Sequence, residues 1–326
     1  MLVKIILFPL ALKFWMLTYI RNLFYDLKLL STTNSKLPVI SVGNIEAGGT
    51  GKTPFVISLI KLLLEKKIKP IVLSRGYKRK TKELIHINEN NIKCHSAKTI
   101  GDEPLHIIKS IKNVEIIVAH NKKKAFEYID KLEGFDCIVL DDGFQSRYLS
   151  RDIDIVLLNM SRHINSFNLL PVGLLRESPS SLKRADFLYY FKGKNQKFSD
   201  AKKLSIDFSM IKLDKGSFSV IEKIDSKIKL IGCVAIGDPE YFEKTLNDLK
   251  IKTKKVIRFK NHALYSKSEL QTIKNELNGL DGIITTEKDF VKLSEDFVNQ
   301  HLIYVVKMNV IINDNSLIEK INDIKN

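Results

Sequence analysis

The residues from Gly48 to Thr53, Gly-Gly-Thr-Gly-Lys-Thr, form a stretch that can hold phosphate. Glycines let successive backbone N–H groups converge on phosphate oxygens with no side chain in the way, and a helix starting at the end of such a loop adds a favourable field. Gly48, Gly49, Thr50 and Gly51 would cradle a nucleotide, Lys52 would reach its β and γ phosphates, and the Thr53 hydroxyl would ligate magnesium. The spacing departs from GxxxxGK[ST] because Glu46 stands where the first glycine belongs, which makes this a variant loop. Its context supports the phosphate reading, since the apolar run Pro38 to Val42 precedes it and the helix-compatible Phe55 to Leu64 follows. ATP with Mg2+ is the expected ligand.

A second stretch, Cys137 to Leu140 followed by Asp141-Asp142-Gly143 and then Gln145, is an apolar strand that ends in two carboxylates. Carboxylates at the carboxyl end of a central strand lie beside a phosphate loop, where Asp141 and Asp142 would join Thr53 around the metal. Alone, the same letters describe an ordinary Asp-Gly turn; with the loop upstream, the pair indicates an ATPase or kinase core. Two further constellations follow strands. Ser74-Arg75-Gly76-Tyr77 trails the run Pro70 to Leu73, and Gly101-Asp102-Glu103-Pro104 opens a helix. Asp102 is either the cap of a Pro-containing first turn or a general base that accepts the proton of an attacking hydroxyl.

These residues need a frame that brings strand ends together. Apolar, β-branched runs at Pro38 to Val42, Pro70 to Leu73, Val114 to Val118, Cys137 to Leu140 and Ile153 to Leu158 alternate with helical stretches. That rhythm predicts a doubly wound, mostly parallel α/β sheet of the P-loop type, with ligands beyond the carboxyl ends of its strands. The chain turns polar and lysine-rich near residue 200, and apolar runs resume at Ile228 to Ile236, Val256 to Phe259, Gly282 to Thr285 and Leu302 to Val306. The expected organisation is an N-terminal helix over 1–30, a core domain over 31–200, a linker over 201–227 and a smaller α/β domain over 228–326.

The first thirty residues are the most apolar, yet Lys4, Lys13, Arg21, Asp26 and Lys28 interrupt them, leaving no uncharged run long enough to span a bilayer. Ile5, Phe8, Leu12, Trp15, Tyr19 and Leu23 recur at steps of three and four, which predicts an amphipathic helix suited either to a membrane interface or to a core. A net charge of +16 favours an anionic partner, such as phospholipid or a phosphorylated substrate. No interleaved basic and aromatic motif points to nucleic acid. The 3 cysteines lie far apart without a CxxC pair, so neither a disulfide framework nor a zinc site is expected.

In this order, GNxxxGGTGKTP from Gly43, SRGY from Ser74, GDEP from Gly101, VLDDGFQ from Val139, LLPVGLLRES from Leu169 and TTEKD from Thr285 resemble the tetraacyldisaccharide 4'-kinase family, the lipid A 4'-kinases. The resemblance implies transfer of the ATP γ-phosphate to the 4'-hydroxyl of an acylated glucosamine disaccharide 1-phosphate, at the cytoplasmic face of the bacterial inner membrane, with no obligate protein partner evident. It also implies Asp102 as general base, assisted by His262 from the second domain, so that the domains would have to close. Lys52 and Asp142 complete the implied catalytic set. Arg75, Tyr77, Gln145, Glu177, Thr286 and Lys288 are implied around the nucleotide. The family pattern has Asp before the histidine, whereas this chain has Asn261, which cannot stabilise an imidazolium by charge. The rival reading from another class is a membrane-docking P-loop ATPase switch that phosphorylates no acceptor.

Overall fold

The computed structural model describes residues 2–161, 168–193, 198, 200–215 and 217–325. The apolar runs of the first half become β1 (Val39–Gly43), β2 (Pro70–Ser74), β4 (Glu115–Val118), β5 (Cys137–Asp141) and β6 (Ile153–Met160). Joined by β3 (Ile85–Ile87), β7 (Phe187–Gly193) and β8 (Lys202–Lys203), they form one sheet in the order β3-β4-β2-β5-β1-β6-β7-β8. All pairs are parallel except β3 with β4. Strands β1, β2 and β5 are buried along their whole length because helices cover both faces.

On one face, α2 (Lys52–Glu65) and α4 (Asp102–Ser110) pack Phe55, Leu59, Leu63 and Leu105 against Ile40, Val72 and Val139. On the other, α5 (Lys122–Ile129) packs Ala125, Phe126 and Ile129 against Ile71, Ile117 and Ile138. A one-turn helix, α3 (Ala97–Ile100), leads into α4. The carboxyl ends of adjacent strands β2, β5 and β1 therefore share one rim, which carries the SRGY segment, the two aspartates and the glycine-rich loop.

The second sheet has the order β10-β9-β14-β13-β11-β12, built from β9 (Ser205–Asp214), β10 (Ser217–Ile221), β11 (Leu230–Val234), β12 (Thr253–Arg258), β13 (Gly282–Thr286) and β14 (Leu302–Ile311). Helices α6 (Pro239–Asp248), α7 (Lys267–Glu276), α8 (Glu287–Phe290) and α9 (Glu295–Gln300) accompany it. The linker expected over 201–227 is corrected here: most of it is the antiparallel pair β9 and β10, with β9 running the length of β14. Its polar letters reflect a hairpin at the sheet edge, where one face meets solvent, and not a loose connection. The C-terminal helix α10 (Asn315–Asn322) returns to the first domain, burying Leu317 and Ile321 in the core of β1 and α2.

The N-terminal helix α1 (Leu2–Asp26) is continuous through Pro9 and is tied to the body near its C-terminal end, where Arg147 donates to the Asn22 carbonyl and to Asp26 Oδ1. Its apolar side chains are exposed on several sides and not along a single stripe: Ile6, Phe8, Leu10, Leu12, Met16, Leu17, Tyr19 and Ile20 all face outward. The stripe expected from the sequence, with Phe8, Leu12, Trp15, Tyr19 and Leu23 exposed, is thus part of a wider apolar surface. No described helix is long and apolar enough to cross a membrane.

Candidate active site

The phosphate loop links β1 to α2. Gly51 caps α2 at φ 76°, a left-handed conformation, and a Cβ there would sit 2.4 Å from the Phe191 ring, so only glycine fits. No side chain caps α2, which leaves its first N–H groups for an anion. Within the loop, Asn44 Nδ2 donates to Thr50 Oγ1 at 2.8 Å, and Gln145 Nε2 donates to the Asn44 carbonyl at 2.8 Å. Gln145 thus holds the loop from behind. Gly48 and Gly49 are exposed at its tip, and Thr53 is buried at its base.

Glu46, the residue that breaks the common spacing, has a structural reason. Its buried carboxylate accepts from the Asn159 N–H at 3.0 Å, fixing the loop to the end of β6. The segment around Leu175 then pairs with the loop entry: Ala47 N donates to Leu174 O and Arg176 N to Ile45 O, both at 2.7 Å. That pairing carries Arg176 to Asp142. Lys52 Nζ lies 3.0 Å from Asp142 Oδ1, and Arg176 Nη1 donates to Oδ2 at 3.0 Å. Burial opposes ionisation of Asp142, but Lys52, Arg176 and Lys122 outweigh it and hold the carboxyl well below its usual range.

Its neighbour behaves oppositely. Asp141 is pushed up to about 6 by burial and by the charges of Glu103 and Asp142, although it accepts from Ser74 Oγ at 2.9 Å. One carboxylate is engaged by cations and the next has none to itself. Magnesium in phosphoryl-transfer sites takes one or two carboxylates, a hydroxyl, phosphate oxygens and water, not a cage of acidic residues. The donor set of Thr53, Asp141 and Asp142 fits that chemistry, and the raised proton affinity of Asp141 marks a carboxylate that a cation would stabilise.

Lys122, at the start of α5, is a participant that the sequence did not reveal. Its buried ammonium donates to the Asp141 and Asp142 carbonyls at 3.1 and 3.0 Å, holding the turn in which Asp142 adopts φ 52°. Burial lowers it to about 8 despite the two aspartates. One lysine among 53 Lys and Arg residues gives no sequence signal.

A second cluster of polar side chains begins where two loops touch. A Cβ on Gly101, at φ 93°, would come within 3.0 Å of the Gly76 backbone, so SRGY and GDEP lie against each other. Asp102 follows at the start of α4, buried at 4% exposure, with Oδ2 only 2.7 Å from His262 Nδ1. Burial raises its proton affinity, but the His262 hydrogen bond and the Lys288 charge pull it well below the ordinary carboxylate range. An ionised carboxylate accepts, so His262 donates through Nδ1. His262 is held by its own N–H to the Ala235 carbonyl at 3.0 Å and by the Tyr77 ring, edge-on at 5.4 Å between centroids. The domain closure expected from the sequence is unnecessary for this pair, which is already formed.

Other expected members are placed differently. Glu177, expected at the nucleotide, turns the other way: its buried carboxylate accepts from Arg21, Asn22 and Arg184 at 3.3, 2.8 and 2.8 Å, and so clamps α1 to the core. Thr286 is the N-cap of α8, accepting from Asp289 N and donating to Asp289 Oδ2. Lys288 lies 3.5 Å from Asp102 Oδ2 and 3.6 Å from Glu103 Oε1, beside the Asp102–His262 pair. Arg75 is exposed at the end of β2, close enough to lower Lys122 electrostatically. Asn261 has its amide near Gly237, where an added Cβ would meet both Asn261 Nδ2 at 3.4 Å and Gly49 N at 3.6 Å.

A loop with free helix N–H groups, a lysine on a strand-end aspartate and a carboxylate-imidazole pair on the same rim define an α/β P-loop phosphotransferase. The model of the family described as tetraacyldisaccharide-1-P 4'-kinase matches residues 3–325, and the chain belongs to that family. It is 36% identical over 290 residues to the tetraacyldisaccharide 4'-kinase of Psychromonas ingrahamii, covering 89% of this chain and 86% of that one. With the protein of the same name from Haemophilus influenzae it shares 33% over 301 residues, covering 92% and 86%. The crystal structure of LpxK from Aquifex aeolicus in complex with ATP superposes with a TM-score of 0.76 at 28% identity, covering 99% of this chain and all of that one.

Proposed function

We propose that this chain transfers the γ-phosphate of ATP to the 4'-hydroxyl of a tetraacyldisaccharide 1-phosphate, working at the cytoplasmic face of the inner membrane. The observation that carries the reading is the pairing of Asp102 with His262 at 2.7 Å on the rim that also bears the phosphate loop. A switch ATPase has no need of a base for an alcohol.

The loop N–H groups and Lys52 bind the β and γ phosphates and offset their charge. Thr53, Asp141 and Asp142 would hold Mg2+, which supplies charge neutralisation on the phosphates when bound. Arg176 keeps Asp142 and Lys52 in register at the loop. Asp102, ionised at neutral pH, accepts the hydrogen bond of the sugar hydroxyl and aligns it for in-line attack. The His262 Nδ1–H that donates to Asp102 helps keep this carboxylate ionised and oriented as the acceptor for that hydroxyl. The exposed apolar surface of α1 supports peripheral membrane contact, which suits a substrate whose acyl chains stay in the bilayer.

The test is transfer of labelled γ-phosphate from MgATP to tetraacyldisaccharide 1-phosphate in mixed micelles, with Lys52→Ala and Asp102→Ala beside the wild type. Labelled lipid that falls at least about a hundredfold in both variants is expected. ATP hydrolysis with no labelled lipid would favour the switch ATPase instead.

A further inference from the structure

We propose that Glu287 is a positioning residue for phosphoryl transfer: its carboxylate fixes the register of α8 on α4 and so places the Lys288 ammonium on Asp102. The proposal rests on the reading of Asp102 as the acceptor-side base.

Asp102, His106 and Ser110 follow one another at four-residue steps and share one face of α4. That face is docked on the second domain at every step. At the first, Asp102 meets Lys288 and His262. At the second, His106, itself buried, lies 3.0 Å from Glu287 Oε2. At the third, Ser110 donates to Glu287 Oε1 at 3.1 Å, and Lys307 of β14 donates to the same oxygen at 2.6 Å. Lys109 adds a bond to the Val291 carbonyl just beyond α8. Burial alone would raise the Glu287 proton affinity, yet His106 and Lys307 draw it down to about 2, so the carboxylate is charged and fully engaged.

The consequence follows from chain connectivity. Glu287 and Lys288 are adjacent on a one-turn helix, so anchoring one side chain to α4 leaves little freedom for the other. A lysine ammonium on four methylenes is otherwise a poor fixed charge. The same helix is fastened on its far side by Asp289, which accepts from Ala235 N at 3.0 Å and lies 2.7 Å from Lys292. Ala235 in turn receives the His262 N–H through its carbonyl. Helix α8 thus governs both groups that face Asp102, with Glu287 as its tie to the helix that carries the base.

Glu287→Gln, Lys288→Met and the double variant test this in the mixed-micelle assay, with kcat and the KM for MgATP measured separately and Asp102→Ala alongside. Each single variant is expected to lower kcat about tenfold while the KM for MgATP stays within about twofold. The double variant is expected to be no worse than Lys288→Met alone, because Glu287 acts through Lys288. Losses that multiply in the double variant, or full kcat in either single variant, overturn the proposal. If Glu287→Gln does not fold, Ser110→Ala and Lys307→Met replace it, and full kcat in both has the same meaning. Full transfer by Asp102→Ala instead overturns the assignment of the base itself, a result separate from the others.

Discussion

The phosphate-loop end and the Asp102 end of the site are built differently. At the phosphate end, Lys52, Thr53, Asp141, Asp142, Arg176 and Lys122 all come from the first sheet and the segments that connect its strands. Cations converge there on one carboxylate, Asp142. At the other end, Asp102 belongs to the first domain, whereas His262 and Lys288 belong to the second. One end is local to a fold; the other exists only where two sheets meet. Phosphate binding should therefore survive changes at the domain junction that abolish transfer.

The largest effect expected is at the phosphate end. Lys52→Ala should reduce turnover at least about a hundredfold and also weaken ATP binding, as equilibrium titration with a fluorescent ATP analogue would show. His262→Ala should lower kcat by roughly ten- to a hundredfold while nucleotide affinity stays unchanged. Loss of nucleotide affinity in the histidine variant would break the division between the two ends.

A third prediction concerns α1. Replacing Leu10, Leu17 and Ile20, all exposed, with Ser should reduce binding to anionic vesicles in a sedimentation assay at least about tenfold, with the melting temperature unchanged. Vesicle binding equal to wild type would remove α1 as the membrane contact. Smaller still, Glu177→Gln should leave the KM for ATP alone but lower the melting temperature by several degrees, since three donors would lose a buried anionic partner. A raised KM would return Glu177 to the nucleotide.

The domain junction also has a pH signature. Glu287 has a depressed proton affinity in the folded state, so its contribution to stability is complete above the usual glutamate range and is lost as pH falls toward about 2. In urea unfolding, the stability advantage of wild type over Glu287→Gln should be full at pH 6 and shrink between about pH 4.5 and pH 2. A pH-independent difference would mean that the carboxylate is not charged at the junction.

The sequence by itself determined the phosphate end. A glycine loop between an apolar strand and a helix, and carboxylates ending a buried strand, are contiguous patterns whose backbone geometry follows from residue type, and β1, α2 and β5 lie where those patterns put them. The sequence also pointed to His262, but only through the order of motifs. What tertiary structure alone decided is how distant segments meet. Glu177 turned to α1, Lys288 turned to Asp102, the polar stretch after residue 200 became the strands β9 and β10, and Lys122 came to rest under the Asp141-Asp142 turn. The physical reason is range. Helix and turn formation depend on neighbours in the chain, while the direction of a long charged side chain depends on which buried partner lies within reach, and that is fixed only when the sheets pack.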